Sequence, residues 1–577
     1  MKQNKTLDTG MNRYLPFIAF LLLTVFAVNP LAAQDQQQTE NSLLPEIDPQ
    51  DIEIRSEFKA RFPGLRRQPI LGFEPAPDIY QIDPNRMPFI ETQEQVVANL
   101  PVSRLSRPEP PQYYSLYNPE KINLFSRIGF GSFGSPEAQI WGVKRLSDET
   151  YVGGDLDYFS SEGHLDNEQS AFRFFNVNGE FATKLGDKTR LDLTGGFENN
   201  FNQMFDLNPD FSSDGSRKDY NSFYFGTALH HFKNSITGWN AQADIRFFDV
   251  SLDAGSLSGT AEEMVYNASV AKKWVGSHVN ETFTVHLGIN GGSYDNSANS
   301  AQWMTVGGGV MYERLFNYST KVTVDGSVYY GTDSFDSKIY LAPSVKVEHP
   351  LMDFVTLRVK AGAEPFFKTI EELHSTNRFL NVSSNLRHSY RFNGLAELEL
   401  DYSKVGALTM GVQYQSINDY PIFIRNTGFT IGLNPPPVYY YETNYADVYK
   451  IRAYAGFSHE IIAHRFWLHG KVYVQKPQIK NNGQIPYEEE FGVQSGFSLR
   501  PIDKLTIEAW ANYVGPRQAF NEELGGFLLL GGQLDVQITQ HIGAYVKLKN
   551  ILNQEYQVWQ GFTERPFQVY GGITVKL

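Results

Sequence analysis

The stretch Lys321–Tyr330, KVTVDGSVYY, shows the pattern on which the fold prediction rests. Apolar and polar side chains alternate along it, so an extended chain places on one face Val322, Val324, Val328 and Tyr330. The opposite face then carries Thr323, Asp325, Ser327 and Tyr329. A period of two is typical of a β-strand with one apolar and one polar face. We therefore predict a strand here.

The same alternation recurs in about 22 segments between Lys121 and Leu577. In one of them, Ala396, Leu398 and Leu400 oppose Glu397, Glu399 and Asp401. In the last one, Gln568, Tyr570, Thr574 and Lys576 oppose the apolar set Phe567, Val569, Ile573, Val575 and Leu577. A strand that crosses a bilayer needs about 9–11 residues. The segments reach that length, which favours a membrane barrel over a water-soluble sandwich.

The predicted connections between these segments alternate between short and long. The short ones are Leu185–Lys188, Gly276–Val279, Phe316–Ser319, Tyr402–Val405, Ile461–His464, Pro501–Lys504 and Thr539–His541. The long ones are Gln203–Arg217, Asp253–Glu262, Thr369–Arg387, Asn426–Ala446, Lys476–Tyr487 and Leu552–Pro566. Outer-membrane barrels keep short turns at the periplasmic rim and long loops outside. We therefore predict an all-β, antiparallel transmembrane barrel of about 22 strands with short periplasmic turns and long external loops.

Aromatic residues lie near the ends of several segments, as the interfacial girdles of such barrels require. They are Tyr329, Tyr330, Tyr439, Tyr440, Tyr441, Trp467, Trp510, Tyr513 and Trp559. Any single aromatic residue is equally well explained by ordinary packing. Only their collective placement supports the barrel.

Composition excludes several classes of protein. The chain has 577 residues, no cysteine and a formal net charge of -14. Without cysteine there is no disulfide scaffold, thiol catalysis or thiolate metal site. The acidic balance argues against binding to nucleic acid, which favours basic patches. The mean hydropathy of -0.36 is too low for a bundle of membrane helices.

Two motif matches do not indicate an enzyme. Residues 129–134 fit GxGxxG, but a predicted strand follows them where a phosphate-binding loop needs a helix. His459, Glu460 and His464 resemble a zinc helix motif, yet the second histidine lies five residues after the first instead of four. We predict no enzyme activity, no cofactor and no metal site.

The N-terminal part has a different composition. Residues 1–33 combine Lys2, Lys5 and Arg13 with an apolar stretch and small residues, which predicts a secretory signal peptide and export. Residues 34–120 hold 13 of the 29 prolines, and proline interrupts sheets and helices. We predict an irregular, proline-rich periplasmic or lumenal arm before the barrel at 121–577. Its candidate partner-binding residues are Ile52, Ile54, Phe58, Phe62, Arg66, Arg67 and Phe73. The alternative is a poorly ordered leader.

The C-terminal residues resemble a known family. The run from Phe527 to Leu577 contains Asn550, Ile551, Leu552, Asn553 and Tyr556, followed by Tyr570, Gly571 and Gly572. This is similar to the last three strands of TonB-dependent receptor barrels, where an NLFNxxY-type motif precedes an external loop and the closing strand. The resemblance implies a 22-stranded barrel that takes up solutes, with a folded plug domain before it. Residues 34–120 show no plug-like pattern and no convincing TonB box, so the residues leave TonB involvement open.

The sequence therefore predicts a barrel in the cell outer membrane, in contact with its lipid, that transports a solute and has a non-standard plug. The candidate lumen-facing residues are Asp325, Glu397, Glu399 and Lys547. The alternative is a plugless scaffold of an envelope complex, whose arm binds a periplasmic or lumenal protein partner.

Overall fold

The computed structural model describes residues 124–577 except 148, 166–169, 205–216, 234–236, 254–257, 279, 297–298, 318, 404–405, 428–438, 481–482 and 520–521. The predicted signal peptide and arm, including Ile52, Ile54, Phe58, Phe62, Arg66, Arg67 and Phe73, lie outside the described residues. Among the described residues, no helix has the length and apolar character needed to cross a bilayer.

Twenty-two antiparallel strands form one sheet, and this sheet closes on itself because the first strand pairs with the last. The first eleven are β1 (Leu124–Gly131), β2 (Ser135–Ser147), β3 (Thr150–Ser161), β4 (Phe172–Lys184), β5 (Thr189–Gln203), β6 (Arg217–Phe232), β7 (Gly238–Asp253), β8 (Gly259–Val275), β9 (Glu281–Asn296), β10 (Ser300–Phe316) and β11 (Thr320–Thr332). The others are β12 (Ser337–Met352), β13 (Val355–Phe367), β14 (His388–Ser403), β15 (Gly406–Thr427), β16 (Tyr439–Ile462), β17 (Phe466–Ile479), β18 (Phe491–Ile502), β19 (Leu505–Val514), β22 (Phe527–Gln537), β23 (Ile542–Lys549) and β26 (Gln568–Lys576).

Three small elements lie in the connections. The helix α1 (Ile370–Thr376) follows β13. Two short ladders pair β20 (Arg517–Gln518) with β21 (Glu523–Leu524), and β24 (Gln557–Trp559) with β25 (Phe562–Thr563). The predicted fold class, an all-β barrel of 22 strands, is confirmed.

The connections form two groups, as predicted. At one end, which we call the turn end, adjacent strands are joined by short turns such as 353–354 and 463–465. At the other, the loop end, the connections include 368–387, 480–490 and 550–567. Alternation between short and long is not strict, because 132–134 and 297–299 are brief connections at the loop end.

Each strand has one apolar and one polar face, and contacts across the barrel show which is inside. The hydroxyl of Ser222 on β6 donates to Glu371, which lies on the connection between β13 and β14. The face of β6 that carries Ser222 therefore points inward. The neighbouring Phe223 points outward and is 50% exposed. Exposed apolar side chains alternate in the same way on most strands, for example Leu287 and Ile573. A barrel surrounded by lipid requires this arrangement.

The asparagines of the C-terminal motif have a structural explanation. Asn550 and Asn553 both have φ of 48°, a left-handed conformation that asparagine tolerates better than most residues. The Asn550 side chain donates to the carbonyl oxygens of Gln554 and Arg565 at 2.8 and 3.2 Å. These bonds join the beginning and the end of the 550–567 connection. The motif therefore determines how this loop leaves the barrel wall.

The girdle prediction is wrong for two aromatic residues. Tyr441 is fully buried and Trp559 is 6% exposed, and both pack with residues of the loop-end connections. The side chains at the ends of strands belong either to the lipid face or to the interior of the opening. Sequence position alone does not distinguish these two environments.

Candidate functional site

Two connections fold into the loop-end opening of the barrel. The first is 368–387, which contains α1, and the second is 550–567; together we call them the lid. Helix α1 begins at a capping box, in which the Thr369 side chain and the Glu372 side chain each accept from the other residue's backbone amide. Its apolar side chains Ile370 and Leu373 are fully buried. The helix therefore packs into the opening instead of extending into solvent.

Glu371 attaches α1 to the inner wall. Its carboxylate accepts from the hydroxyl of Ser222 on β6 at 2.8 Å and from the guanidinium of Arg246 on β7 at 3.0 Å. Its backbone amide donates to the carboxylate of Glu263 on β8 at 3.3 Å. Three adjacent strands thus hold the first turn of the helix.

Lys218 is a second attachment point. This β6 side chain is fully buried, and its ammonium donates to the backbone carbonyls of Arg378 and Leu380 in the lid. Burying a charge is costly unless its hydrogen bonds are satisfied. The two carbonyls offset part of that cost only while the lid is docked. Lys218 therefore connects β6 to the lid through two hydrogen bonds.

The two lid segments are also joined to each other. The rings of Phe379 and Phe562 stack with centroids 3.5 Å apart, and both side chains are fully buried. The guanidinium of Arg378 donates to the carboxylate of Glu564 at 2.7 Å. The Tyr441 hydroxyl of β16 donates to the carbonyl of Gln560 at 3.0 Å. The lid is one packed unit that contacts several parts of the wall.

His374 of α1 lies inside this unit, with 1% of the residue exposed. Neither ring nitrogen has a hydrogen-bond partner among the described residues. Burial, and then the nearby charge of Lys218, lower the pKa of His374 well below its usual value. The imidazole is therefore neutral in the docked lid.

Two of the residues predicted to face the lumen, Glu397 and Glu399, bind the same side chain. Arg358 of β13 donates to Glu397 at 2.6 Å and to Glu399 at 3.0 Å, both on β14. It also donates to Glu348 of β12 at 3.2 Å. One guanidinium thus holds three carboxylates across three strands.

The other two lie elsewhere in the barrel. Asp325 of β11 accepts from the Ser327 hydroxyl at 2.6 Å and is 3.9 Å from His286. Lys547 of β23 pairs with Glu137 of β2. The four candidates therefore do not form one site. Arg358 and Lys218 could not be identified from the sequence, because their partners depend on strand register and on a loop that crosses the opening.

A cavity lies between the lid and the wall formed by β15–β19. Its volume is about 120 Å³. Aromatic lining residues include Tyr473, Tyr513 and Trp559, and cationic ones include Arg452, Lys471 and Arg517. We call it the lid cavity.

The described residues contain no cluster of histidine and carboxylate side chains able to hold a metal ion. Residues 129–134 form the end of β1 and the turn to β2. Glu460 accepts from the backbone amide of His464 at a turn between strands. Neither motif match has the helix that its chemistry needs.

Comparison of sequences identifies no relative. No family model matches the chain. No curated protein matches it either.

Comparison of structures finds the same barrel in solved proteins. The FrpB iron transporter from Neisseria meningitidis matches with a TM-score of 0.62 and 10% identity, over 79% of this chain and 81% of that one. The copper transporter OprC matches at 0.61 and 11%, over 79% and 80%. The ferric-catecholate import receptor Fiu from E. coli K12 matches at 0.59 and 10%, over 79% and 82%. The predicted resemblance to the barrel of TonB-dependent receptors is confirmed at the level of the fold.

Proposed function

We propose that this chain is an outer-membrane barrel that admits a solute through its lumen, and that the lid controls entry at the loop end. The observation that carries this proposal is the lid itself, a packed unit held across the opening by contacts with β6, β7, β8 and β16. Barrels of this strand number are wide enough to need an occluded lumen. A lid made of connections can open without breaking the pairing between strands.

The inner wall supports the same proposal. Its charges are arranged in ion pairs, such as Arg127 with Asp535 at 3.2 Å and Arg358 with Glu397. A polar, hydrated inner surface is what a passage for solutes requires. In this reading, Asp325, Glu397, Glu399 and Lys547 line the path, and the outer-membrane lipid contacts the apolar outer face.

Import is supported by the structural neighbours, two of which are described as transporters and one as an import receptor. The proposal assigns no energy source, and TonB is one candidate. The competing proposal is a scaffold in an envelope complex, with the arm of residues 34–120 binding a periplasmic or lumenal protein.

Conductance of the purified protein in planar bilayers tests passage. We compare the full chain with three variants: residues 370–386 replaced by a short Gly/Ser linker, residues 35–110 deleted, and both changes together. We expect the lid replacement to increase conductance, and the double variant to conduct most. A double variant that stays closed contradicts passage through the lumen.

The scaffold proposal is tested separately by affinity purification in mild detergent. A stoichiometric protein that is lost when residues 35–110 are deleted supports it. Recovery of the barrel alone counts against it.

A further inference from the structure

We infer that the acyl chain of a membrane lipid inserts into the barrel wall between β12 and β13, in the part of these strands near the loop end. The site is a break in strand pairing that we call the proline gap. It is bounded by residues 337–343 of β12 and 363–367 of β13. The inference concerns the wall and not the lid, so it goes beyond the proposed function.

Pairing between β12 and β13 stops part of the way along both strands. The last paired residues towards the loop end are Ser344 and Gly362. Beyond them, β12 stays paired with β11 as far as Ser337, and β13 stays paired with β14 as far as Phe367. Both segments therefore remain strands, but each has a free edge facing the other.

Two prolines explain why the pairing stops. In this register the next residues to pair would be Ala342 and Glu364. The two hydrogen bonds beside such a pair would run from the amide of residue 343 to the carbonyl of 363, and from the amide of residue 365 to the carbonyl of 341. Residues 343 and 365 are both proline, which has no amide hydrogen. The sequence itself therefore creates the gap.

Side chains close the gap in place of backbone hydrogen bonds. The Leu341 carbonyl accepts from the hydroxyl of Tyr390 on β14 at 2.5 Å. The rings of Tyr390 and Tyr340 stack with centroids 5.6 Å apart. The buried ring of His388 contacts those of Tyr340 and Phe367, with centroids 6.2 and 4.9 Å apart. Such contacts can separate without breaking the pairing between strands.

The outer side of the gap is apolar. Ile339 and Leu341, on the free edge of β12, are 72% and 62% exposed. Exposed rings flank the gap on the neighbouring strands, Tyr330 on β11 and Phe392 on β14. These side chains belong to the apolar outer face that contacts lipid. A hydrocarbon chain between the two strands would cover apolar surface that is otherwise exposed.

A strand from another protein is the competing occupant, since free edges can add a strand. The edges of the gap lack two of the donors that an added strand would use, because of Pro343 and Pro365. The Leu341 carbonyl is already bonded to Tyr390. An acyl chain needs no hydrogen bonds. The gap therefore fits a lipid chain better than a strand.

Photo-crosslinking of the full chain in nanodiscs tests the site. The probe is a phospholipid that carries a diazirine at the end of one acyl chain, and mass spectrometry locates the labelled residues. We expect label on the buried residues His388 and Phe367, which a chain reaches only through the gap. Tyr224 is the internal control, because it lies on the inward face of β6, which is paired on both sides there. No label on His388 and Phe367, or equal label on Tyr224, would overturn the inference.

Variants that restore the missing donors locate the site. Pro343→Val together with Pro365→Val should let the strands pair further and reduce the label on His388 at least about tenfold, because two hydrogen bonds are regained. The matched control is Pro350→Val, because Pro350 lies on β12 where it is paired with Thr356. An unchanged label in the double variant, or an equal reduction in the control, contradicts the assignment. Heat-dependent gel migration checks that each barrel is folded.

A third variant tests the closing contact. Tyr390→Phe removes the hydroxyl bonded to Leu341 and should increase the label on His388 by about threefold to tenfold. An unchanged label contradicts the role of this contact. Crosslinking is measured without flux, so a barrel that never conducts can still carry the lipid site, and a barrel that conducts can lack it.

Discussion

Removing one ring from the lid should open it without unfolding the barrel. Phe379 and Phe562 stack at 3.5 Å, and neither is exposed. Replacing a fully buried phenylalanine by alanine costs about 3–5 kcal/mol. In Phe379→Ala we expect this loss to fall on lid docking, because residue 379 lies in a connection and strand pairing is unchanged.

The expected change in population follows from that energy. Each 1.4 kcal/mol is about a factor of ten, so the open fraction should rise by between about one hundred and a few thousand. The increase is bounded by the stability of the docked lid, because a lid that is already open cannot open further.

Alkylation of a single cysteine measures the open fraction. The chain has no cysteine of its own, so Val382→Cys provides a unique thiol. Val382 is 2% exposed within the lid, and a maleimide should reach it only when the lid opens. When opening and closing are fast, the labelling rate reports the open population. We expect labelling to accelerate in the Phe379→Ala background.

The matched control is Phe197→Ala, which removes the same ring from the outer face, where Phe197 is 41% exposed. It should leave labelling of residue 382 unchanged. Equal labelling rates in the Phe379→Ala and Phe197→Ala backgrounds would refute the reasoning. It would also be refuted if gel migration showed that the barrel of the Phe379→Ala protein is unfolded.

Two further predictions concern pH. Because His374 is neutral when buried, the open lid binds a proton that the docked lid does not. Labelling of Val382→Cys, relative to the exposed Ser375→Cys, should therefore rise as the pH falls below about 6.5, by at most about tenfold per pH unit. His374→Leu should reduce this rise. Burial raises the pKa of Asp333, but hydrogen bonds from His388 and from loop amides outweigh this and hold it at about 2. The Asp333 carboxylate contributes up to about 2 kcal/mol of stability above about pH 4, and this contribution is lost as the pH falls towards 2. In Asp333→Asn the stability of the barrel, measured by gel migration, should therefore depend less on pH across that window.

The barrel could be predicted from the sequence because alternation and turn spacing are local properties. Most predicted connections fall within a few residues of those in the structure, such as 185–188 and 368–387. A strand that faces lipid on one side and water on the other must alternate, whatever its neighbours are. The sequence therefore carries the strand pattern directly.

The lid could not be predicted in this way. The segment 368–387 reads as a long external loop, yet its buried residues include Leu373, Phe379 and Leu380. The apolar content of such a loop is visible in the sequence, but the strand that it contacts is not. Trp559 shows the same limit, because a loop tryptophan that folds inward resembles one at the lipid interface.

The lid also has a mechanical consequence. Its segments begin on β13 and β23 and are held by Lys218 of β6 and Tyr441 of β16, so they join well-separated parts of the circumference. A wide barrel deforms easily when a force acts across its opening, and a segment that links distant parts of the opening resists that deformation. Opening the lid therefore removes a mechanical link between distant strands as well as the barrier across the opening. The rim should become more deformable at the moment when a solute has to pass it.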